Sequence, residues 1–198
     1  MAMTNPYATL NQVKASARIT DNVDDDLLEL AIEAASREID QACERVFYNA
    51  GTATRIYAAQ DAYVTQIDDL ISLEHLKSDP EGDGVYSITW STSDYVLEPL
   101  NGIAGGIPQP YTRIRARDTY LFPMEEGEPL VEVRGVWGWS AVPTAIEQAT
   151  VILASRIFKR NDSPLGVAGF GDLGVIRVGK LDPDVEALIN AFRKPRMG

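Results

Sequence analysis

The spacing of apolar residues changes twice along this chain, at Asn49-Ala50-Gly51 and again after Gly138. Before the first change and after the second, apolar residues recur every three or four positions, which is typical of helices with one buried face. Between the changes they alternate with polar residues in short runs broken by Gly, Pro and Asp, which is typical of antiparallel strands. The sequence predicts an α+β protein: a small helical bundle from both chain ends with a large inserted antiparallel β domain. The predicted boundaries are 1–50 and 137–198 for the helical core and 51–136 for the β-rich insertion.

Four helices are predicted. Thr9 and Gln12 form a capping box that starts a short helix running to about Ile19. Three aspartates then open a long helix, which we expect to run to about Phe47 with a buried stripe of Leu28, Ile32, Ala35, Ile39, Ala42, Cys43 and Val46. A third helix follows Pro143, with Ile146, Ala149, Leu153 and Ile157 as its buried stripe. A fourth has Asp182 as its N-cap and Pro183 at its first position.

Short runs of alternating residues predict the strands of the insertion. They lie at 55–57, 63–67, 73–77, 85–90, 95–97, 112–116 and 130–134. Trp137 and Trp139 follow the last of these strands. They are either a ligand or partner platform or packing residues where sheet meets helix, and we favour packing.

Composition narrows the classes of function. The chain has 198 residues, a net charge of −11 and a single cysteine, so an internal disulfide is excluded and a reducing cytoplasm is the expected compartment. The N-terminus lacks a signal-peptide pattern, and no apolar run is long enough to span a bilayer. Residues 1–50 carry four basic and nine acidic side chains, residues 51–138 six and fourteen, and residues 139–198 eight and six. This acidic body argues against a conventional nucleic-acid binder, but it suits a wall past which DNA slides without being gripped.

No motif in the sequence predicts a catalytic, cofactor-binding or metal-binding residue. The run 169–174 matches G-x-G-x-x-G by letter, but a helix precedes it and a strand follows, the reverse of a dinucleotide site. The segment that begins at Asp79 imitates an EF-hand loop, yet its twelfth position is Trp90 rather than Glu, so we interpret it as a solvated hairpin turn. One histidine, His75, and one thiol, Cys43, are too few for a zinc site or a convincing triad. The chain is therefore predicted not to be an enzyme and to need no cofactor.

The order of these features resembles the head–tail connector (adaptor, or head completion) proteins of long-tailed bacteriophages. At the N-terminal end, the segment from Tyr7 to Lys14 opens the short helix and Asp24 to Arg45 form the long one. The C-terminal end starts with Trp137-Gly138-Trp139 and Val142-Pro143. It continues with a helix ending at Lys159-Arg160, a glycine-rich run at 163–172, a strand-like 175–178 and a last helix opened by 181–185. The resemblance covers roughly residues 7–48 and 137–193.

The resemblance implies a structural virion protein that joins the capsid to the tail. Such proteins form a homo-oligomeric ring, commonly a dodecamer, beneath the portal protein, and they offer the far side to a stopper or tail protein. The ring lines the exit channel, so double-stranded DNA passes through the lumen without sequence-specific binding, and no membrane is involved. The implied location is the virion neck, after synthesis in the host bacterial cytoplasm. Alternatives are another neck or tail-completion protein, such as a stopper or tail terminator, or a soluble ligand-binding or enzymatic domain.

The resemblance also implies that the C-terminal segment reaches the portal. The portal-docking candidates are Asp182, Phe192, Arg193, Lys194 and Arg196; the alternative is an ordinary helix packed on its own core. A ring subunit needs two complementary faces. The acidic outer side of the long helix and the basic side of the helix ending at Arg160 are candidates for these faces. The candidates for a subunit interface or the lumen are Gly166, Gly169, Phe170, Gly171, Arg156 and Arg160.

Overall fold

The computed structural model describes residues 3–125, 127–161 and 182–194. Within these residues the protein mixes helix with antiparallel sheet, in agreement with the α+β prediction. The helices are α1 (Leu10–Ala17), α2 (Asp25–Cys43), α3 (Thr144–Asn161) and α4 (Pro183–Ile189). The strands are β1 (Asn49–Tyr57), β2 (Val64–Ser78), β3 (Ile88–Thr89), β4 (Tyr95–Glu98), β5 (Ile103–Ala104), β6 (Ile107–Pro108), β7 (Tyr111–Ala116) and β8 (Val131–Gly138).

The chain divides into two compact units. The helical unit consists of Met1–Phe47 and Val142–Gly198, and the β unit is the continuous segment Tyr48–Ala141. Helix α3 contacts α1, α2 and α4, and α1 also contacts α2, so helices from the two ends of the chain share one core. None of the described helices combines the length and the apolar character that crossing a bilayer requires.

Local capping explains where α1 begins and ends. The Thr9 side chain accepts a hydrogen bond from the Gln12 N–H, and the Gln12 side chain accepts one from the Thr9 N–H, which completes the predicted capping box. Arg18 adopts a left-handed conformation, and Ile19 N–H donates to the Lys14 carbonyl at 2.9 Å, which closes the helix two residues earlier than predicted.

Helix α2 ends at Cys43, four residues before the predicted end at Phe47. Glu44 takes a left-handed conformation, and the N–H groups of Glu44 and Arg45 both donate to the Asp40 carbonyl. The chain then turns so that the Phe47 ring enters the core, where it meets Tyr7 and Phe192 edge to face. The end of α2 carries no sequence signal, because the left-handed residue after the helix is Glu44 and not the usual glycine.

The main sheet has the order β1-β8-β2-β7-β4, with β3 on the end of β2, and all its pairings are antiparallel. The long strand β2 pairs with β7 along its first half and with β8 along its second. Two predicted strands, 63–67 and 73–77, are thus one continuous strand with register shifts. Strand β3 covers only two residues of the predicted 85–90. The β5–β6 hairpin lies outside all the predicted strands.

The β unit is packed around its own aromatic and aliphatic core. Members include Trp90, Trp137, Phe122, Leu70 and Ile114. The two ends of the unit meet: Asn49 pairs with Gly138, and Trp139 N–H donates to the Tyr48 carbonyl at 3.0 Å. Gly138 has φ +95°, and a Cβ there would lie 2.0 Å from the Tyr48 carbonyl oxygen, so only glycine fits at this junction.

Candidate interaction surfaces

Helix α4 is fastened to the helical unit at its first residue. Asp182 is the N-cap predicted from sequence, and its carboxylate accepts a hydrogen bond from the Asp184 N–H at 2.7 Å. The same carboxylate forms an ion pair with Arg156 of α3. Asp182 is thereby largely shielded from solvent while the Arg156 side chain stays half exposed. A portal-docking candidate and an interface candidate thus pair with each other.

The end of the described chain is also built into the core. Phe192 is 3% exposed and packs edge to face on Phe47. Arg193 pairs with Glu186 at 3.3 Å, and the Lys194 N–H donates to the Cys43 carbonyl at 3.1 Å. Phe192 is therefore a core residue in this conformation rather than a surface contact. This is the ordinary-helix alternative that the sequence left open for these positions.

Of the predicted site residues not yet discussed, the structure describes one and leaves five outside the described ranges. Arg160 is exposed at the end of α3. The other candidates lie outside the described residues: Gly166, Gly169, Phe170, Gly171 and Arg196. The strand-like 175–178 lies outside them as well.

A buried phenol–carboxylate pair ties the N-terminal segment to α2. The Tyr7 hydroxyl donates to Asp40 and accepts from the Phe47 N–H at 2.8 Å. Burial, reinforced by the hydrogen bond to Asp40, raises the pKa of Tyr7 far above its ordinary value. Burial also raises the pKa of Asp40, against the opposing effects of the Tyr7 hydrogen bond and the Arg37 charge. Arg37 in turn donates to the carbonyls of Thr4 and Asn5. The arrangement fixes the chain and offers no exposed reactive group.

The thiol and the imidazole, which could take part in catalysis or metal binding, are either buried or close to a charged partner. Burial raises the pKa of the Cys43 thiol to about 11, so the thiol is protonated at neutral pH, as expected of a packing residue. His75 lies on β2, 3.5 Å from Glu132. Across the described ranges, no cluster of three or more His, Cys, Asp or Glu side chains is arranged to hold a metal ion.

The loop that imitates an EF-hand is held together by its first carboxylate. Both oxygens of Asp79 accept backbone N–H bonds, from Glu81, Gly82 and Gly84, at 2.7 to 3.1 Å. Asp79 is buried, so the prediction of a solvated turn was wrong for this residue. The side chain replaces missing backbone partners within the turn, which is the usual role of Asp at the start of such a loop.

Trp137 belongs to a packed polar and aromatic cluster of the β unit. The Arg55 guanidinium stacks over the Trp137 ring at 4.3 Å and pairs with Asp68 at 2.7 Å. The Tyr57 hydroxyl also donates to Asp68, and burial raises the pKa of Tyr57 to about 12. Trp139 is buried as well, with its indole N–H donating to Asp69 at 2.9 Å. Both tryptophans are packing residues, as favoured from the sequence.

Sequence reasoning missed one surface, an apolar line on α2. Leu27 and Leu30 are exposed on the helix, and Val23 is exposed just before it. The signal was present, because Leu27 and Leu30 are large apolar residues off the positions 28, 32, 35 and 39 that make the buried stripe. Contiguous exposed apolar side chains mark contact surfaces in many proteins, so this line is a candidate surface.

The comparisons with known proteins agree with this picture. Residues 7–95 match the family described as phage gp6-like head-tail connector protein. The resemblance to head–tail connectors is confirmed. The match takes in α1, α2 and β1 to β3, so it covers the N-terminal part of the resemblance, 7–48, and extends into the β unit, whereas the C-terminal part, 137–193, lies outside it. No curated protein matches the chain.

Two solved particles contain chains similar to this chain over nearly its whole length. One is in the neck of an empty GTA particle computed with C6 symmetry, at 19% identity and a TM-score of 0.56, covering 99% of this chain and 95% of that one. The other is in the virion of a native gene transfer agent (GTA) particle, at 19% identity and a TM-score of 0.55, covering 100% and 94%. Identity at this level shows a shared fold. With the family match, it supports a structural head-to-tail connector role.

Proposed function

We propose that this chain is a structural connector in the neck of a tailed-phage virion or a related tail-bearing particle. In this proposal copies of the chain form a ring beneath the portal protein and present the far side to a stopper or tail protein. The observation that carries it is the family match over residues 7–95, which coincides with a fold shared along 99% of the chain with a neck protein. No catalytic residue or cofactor is needed for this role.

The proposal assigns the helical unit to the connector core and the β unit to an insertion. Twelve copies are the number expected from the resemblance, and the six-fold symmetry used for the related neck is compatible with twelve. Double-stranded DNA would pass through the lumen without sequence-specific binding, because a chain with a net charge of −11 repels phosphates. The segment with Gly166, Gly169, Phe170 and Gly171 is proposed to lie at the lumen or at a subunit contact.

Cryo-electron microscopy of the particle neck tests the proposal. We expect a ring of this chain between portal and tail, on the particle axis. Density for the chain at any other place, or a single off-axis copy, contradicts the proposal.

Portal docking requires a sharper test than deletion of the last helix, because Asp182 to Phe192 stabilise the core. We propose that the basic end of the chain, Arg193, Lys194 and Arg196, contacts the portal. The variant Arg196→Glu keeps Phe192, Lys194 and the Arg193–Glu186 pair, so we expect an unchanged fold and weaker portal binding. Arg117→Glu, an exposed charge reversal in the β unit, is the matched control. Equal portal binding by both variants contradicts the docking role.

A further inference from the structure

Two adjoining segments of the β unit carry most of its exposed large apolar residues. The first, 79–90, runs from the end of β2 through β3, and the second, 117–130, joins β7 to β8. Nine large apolar side chains are exposed in the described part of the β unit, and five of them, 46% to 59% exposed, belong to these segments: Val85, Ile88, Tyr120, Leu121 and Met124. We call these five residues the loop patch.

A buried aromatic pair holds the two segments together. The Trp90 ring stacks on the Phe122 ring with the centroids 4.6 Å apart, and the Tyr120 ring lies 5.8 Å from Trp90. Ile88 is two residues before Trp90 in an extended chain, so both side chains point to the same side. Leu121 lies between Tyr120 and Phe122 in the sequence. These three members of the loop patch therefore surround one packed base.

The segments also touch nearer to their other ends. The Tyr86 hydroxyl donates to a carbonyl of the second segment at 2.8 Å. A Cβ at Gly82 would lie 3.0 Å from a side-chain oxygen of Glu125. Val85 and Met124 are the chain neighbours of Tyr86 and Glu125, so they too lie where the segments meet.

The same two segments are strongly acidic. They carry seven acidic side chains and one basic side chain, a net −6 out of the −11 of the whole chain. Four of the carboxylates are exposed next to the loop patch: Glu81, Asp83, Glu125 and Glu128. Among the residues that the structure describes, none of these four forms an ion pair. We call them the flanking carboxylates.

Charge decides what can cover the loop patch. DNA is a polyanion, so the flanking carboxylates repel it. Two loop patches facing each other would bring like charges together, and a second copy of this chain also carries a net charge of −11, which opposes its approach. The surface that fits is a protein surface with an apolar centre and Lys or Arg side chains at its border.

We propose that the loop patch receives the stopper or tail protein on the side of the ring away from the portal, here called the tail-side protein. This inference rests on the proposed function, because it assigns one of the two contacts of the proposed ring. The portal contact proposed above has the opposite polarity, since there this chain supplies the basic side chains. In the tail-side contact the apolar residues supply the contact area, and the flanking carboxylates steer the approach of a basic partner.

Photo-cross-linking during neck assembly tests this contact. Purified Met124→Cys chain is labelled with benzophenone maleimide and added to heads that lack this chain, and tails are then added. Cys43 is buried, so the unsubstituted chain gives the background. We expect a cross-link to the tail-side protein at a peptide that contains Lys or Arg. Thr54→Cys, at an exposed position on β1 outside the two segments, is the matched control and should not give this cross-link.

The other outcomes separate this contact from the proposed function. A cross-link to a second copy or to the portal overturns the inference. So does the absence of a cross-link in necks that electron microscopy shows to contain both the ring and the tail. If the unsubstituted chain forms no ring between portal and tail, the proposed function fails and this contact fails with it.

A double variant removes the apolar part of the contact without a reagent. Leu121→Ser/Met124→Ser changes two exposed side chains, so we expect an unchanged fluorescence transition in urea. The yield of tail-bearing particles should fall by about tenfold or more. Ile56→Ser, which removes a side chain that is 54% exposed on β1, is the matched control and should attach tails as the parent chain does. Tail attachment by the double variant at the level of the control overturns the proposal.

A second double variant tests the charges. Glu125→Gln/Glu128→Gln should slow tail attachment at low salt and make its rate less dependent on salt, because two charges that attract the partner are lost. Glu33→Gln/Glu38→Gln, which removes two charges from α2, is the matched control. The same salt dependence in both double variants overturns the choice of a basic partner.

Discussion

The two units of this protein are stabilised in different ways. The helical unit draws its core from distant parts of the chain: Tyr7, Phe47 and Phe192 meet with ring centroids 5.8 and 5.9 Å apart. The β unit is one continuous segment with its own core. The core of the helical unit therefore requires both chain ends, whereas the core residues of the β unit all lie between Tyr48 and Ala141. Contacts between residues far apart in the sequence carry a larger cost of loop closure.

This difference can be measured because the spectroscopic reporters are divided as well. All three tryptophans, Trp90, Trp137 and Trp139, lie in the β unit. Tryptophan fluorescence thus reports on the β unit, and ellipticity at 222 nm reports mainly on the helices. Comparing the two signals in one unfolding experiment tests whether the units unfold separately.

The largest effect is expected for Trp137→Ala. Trp137 is fully buried, contacts Arg55 and Tyr57, and donates from its indole N–H to the Ala53 carbonyl at 2.8 Å. We expect the β unit to lose about 5 kcal/mol of unfolding free energy, at the upper end for such truncations. In urea, the fluorescence transition should move to lower concentration while the ellipticity transition stays. An equal shift of both transitions would contradict separate unfolding of the two units. Trp137→Phe should shift the fluorescence transition less than Trp137→Ala.

Phe192→Ala should destabilise the helical unit and leave the stability of the β unit unchanged. The ring fills the core of the helical unit against Phe47, so its loss should cost about 3 kcal/mol there. The ellipticity transition should shift and the fluorescence transition should not. Ala191→Ser, at the exposed neighbouring position, should stay within about 0.5 kcal/mol of the parent chain. An unshifted ellipticity transition in Phe192→Ala would mean that Phe192 does not stabilise the core of the helical unit, and would favour a surface-contact role for this residue.

The sequence predicted these elements well where the decisive interactions are local. The capping box of α1 and the N-cap of α4 are contacts between neighbouring residues, and both were predicted correctly from their spacing. The end of α2 was not, because the helix closes at a left-handed Glu44, where the usual signal would have been a glycine. Strand β2 was divided in two because its register shifts interrupt the alternation of polar and apolar residues.

The candidate surfaces, too, could be predicted only where the deciding contacts are local in the sequence. Burial of Phe192 and the pairing of Asp182 with Arg156 depend on helices far apart in the sequence, so residue type and spacing could not reveal them. The exposed leucines of α2, Leu27 and Leu30, were visible in the sequence but were obscured by the stronger pattern of the buried face.

A tyrosine in each unit should make both units sensitive to alkali. Burial raises the pKa of Tyr57 to about 12, whereas an unfolded tyrosine ionises near its ordinary value of about 10. Between these values the folded state retains the proton that the unfolded state has lost, so stability decreases as pH rises. In Tyr57→Phe the fluorescence midpoint should depend less on pH above about 10, and in Tyr7→Phe the ellipticity midpoint should do so. Slopes equal to those of the parent chain would contradict the assignment.

The smallest effect is expected at the start of α4. Asp182→Ala removes the N-cap acceptor and the partner of Arg156, and we expect the helical unit to lose about 1 kcal/mol. Asp182→Asn keeps a capping oxygen but no charge, so it should recover most of that loss if capping dominates. Thermal unfolding followed at 222 nm distinguishes the two. Equal losses in both variants would show that the ion pair with Arg156 is the main contribution.

Because the two ends of the β unit are adjacent, the size of this unit can differ between related proteins. The first residue of β1, Asn49, pairs with the last residue of β8, Gly138, so the two ends of the β unit are adjacent. The hydrogen bond from the Trp139 N–H to the Tyr48 carbonyl holds them together. A segment of another length or fold whose ends pair in the same way would leave the distance between its two attachment points unchanged. An experimenter can exploit the same geometry by grafting a fluorescent or affinity module at 48–141 and leaving the helical part in place.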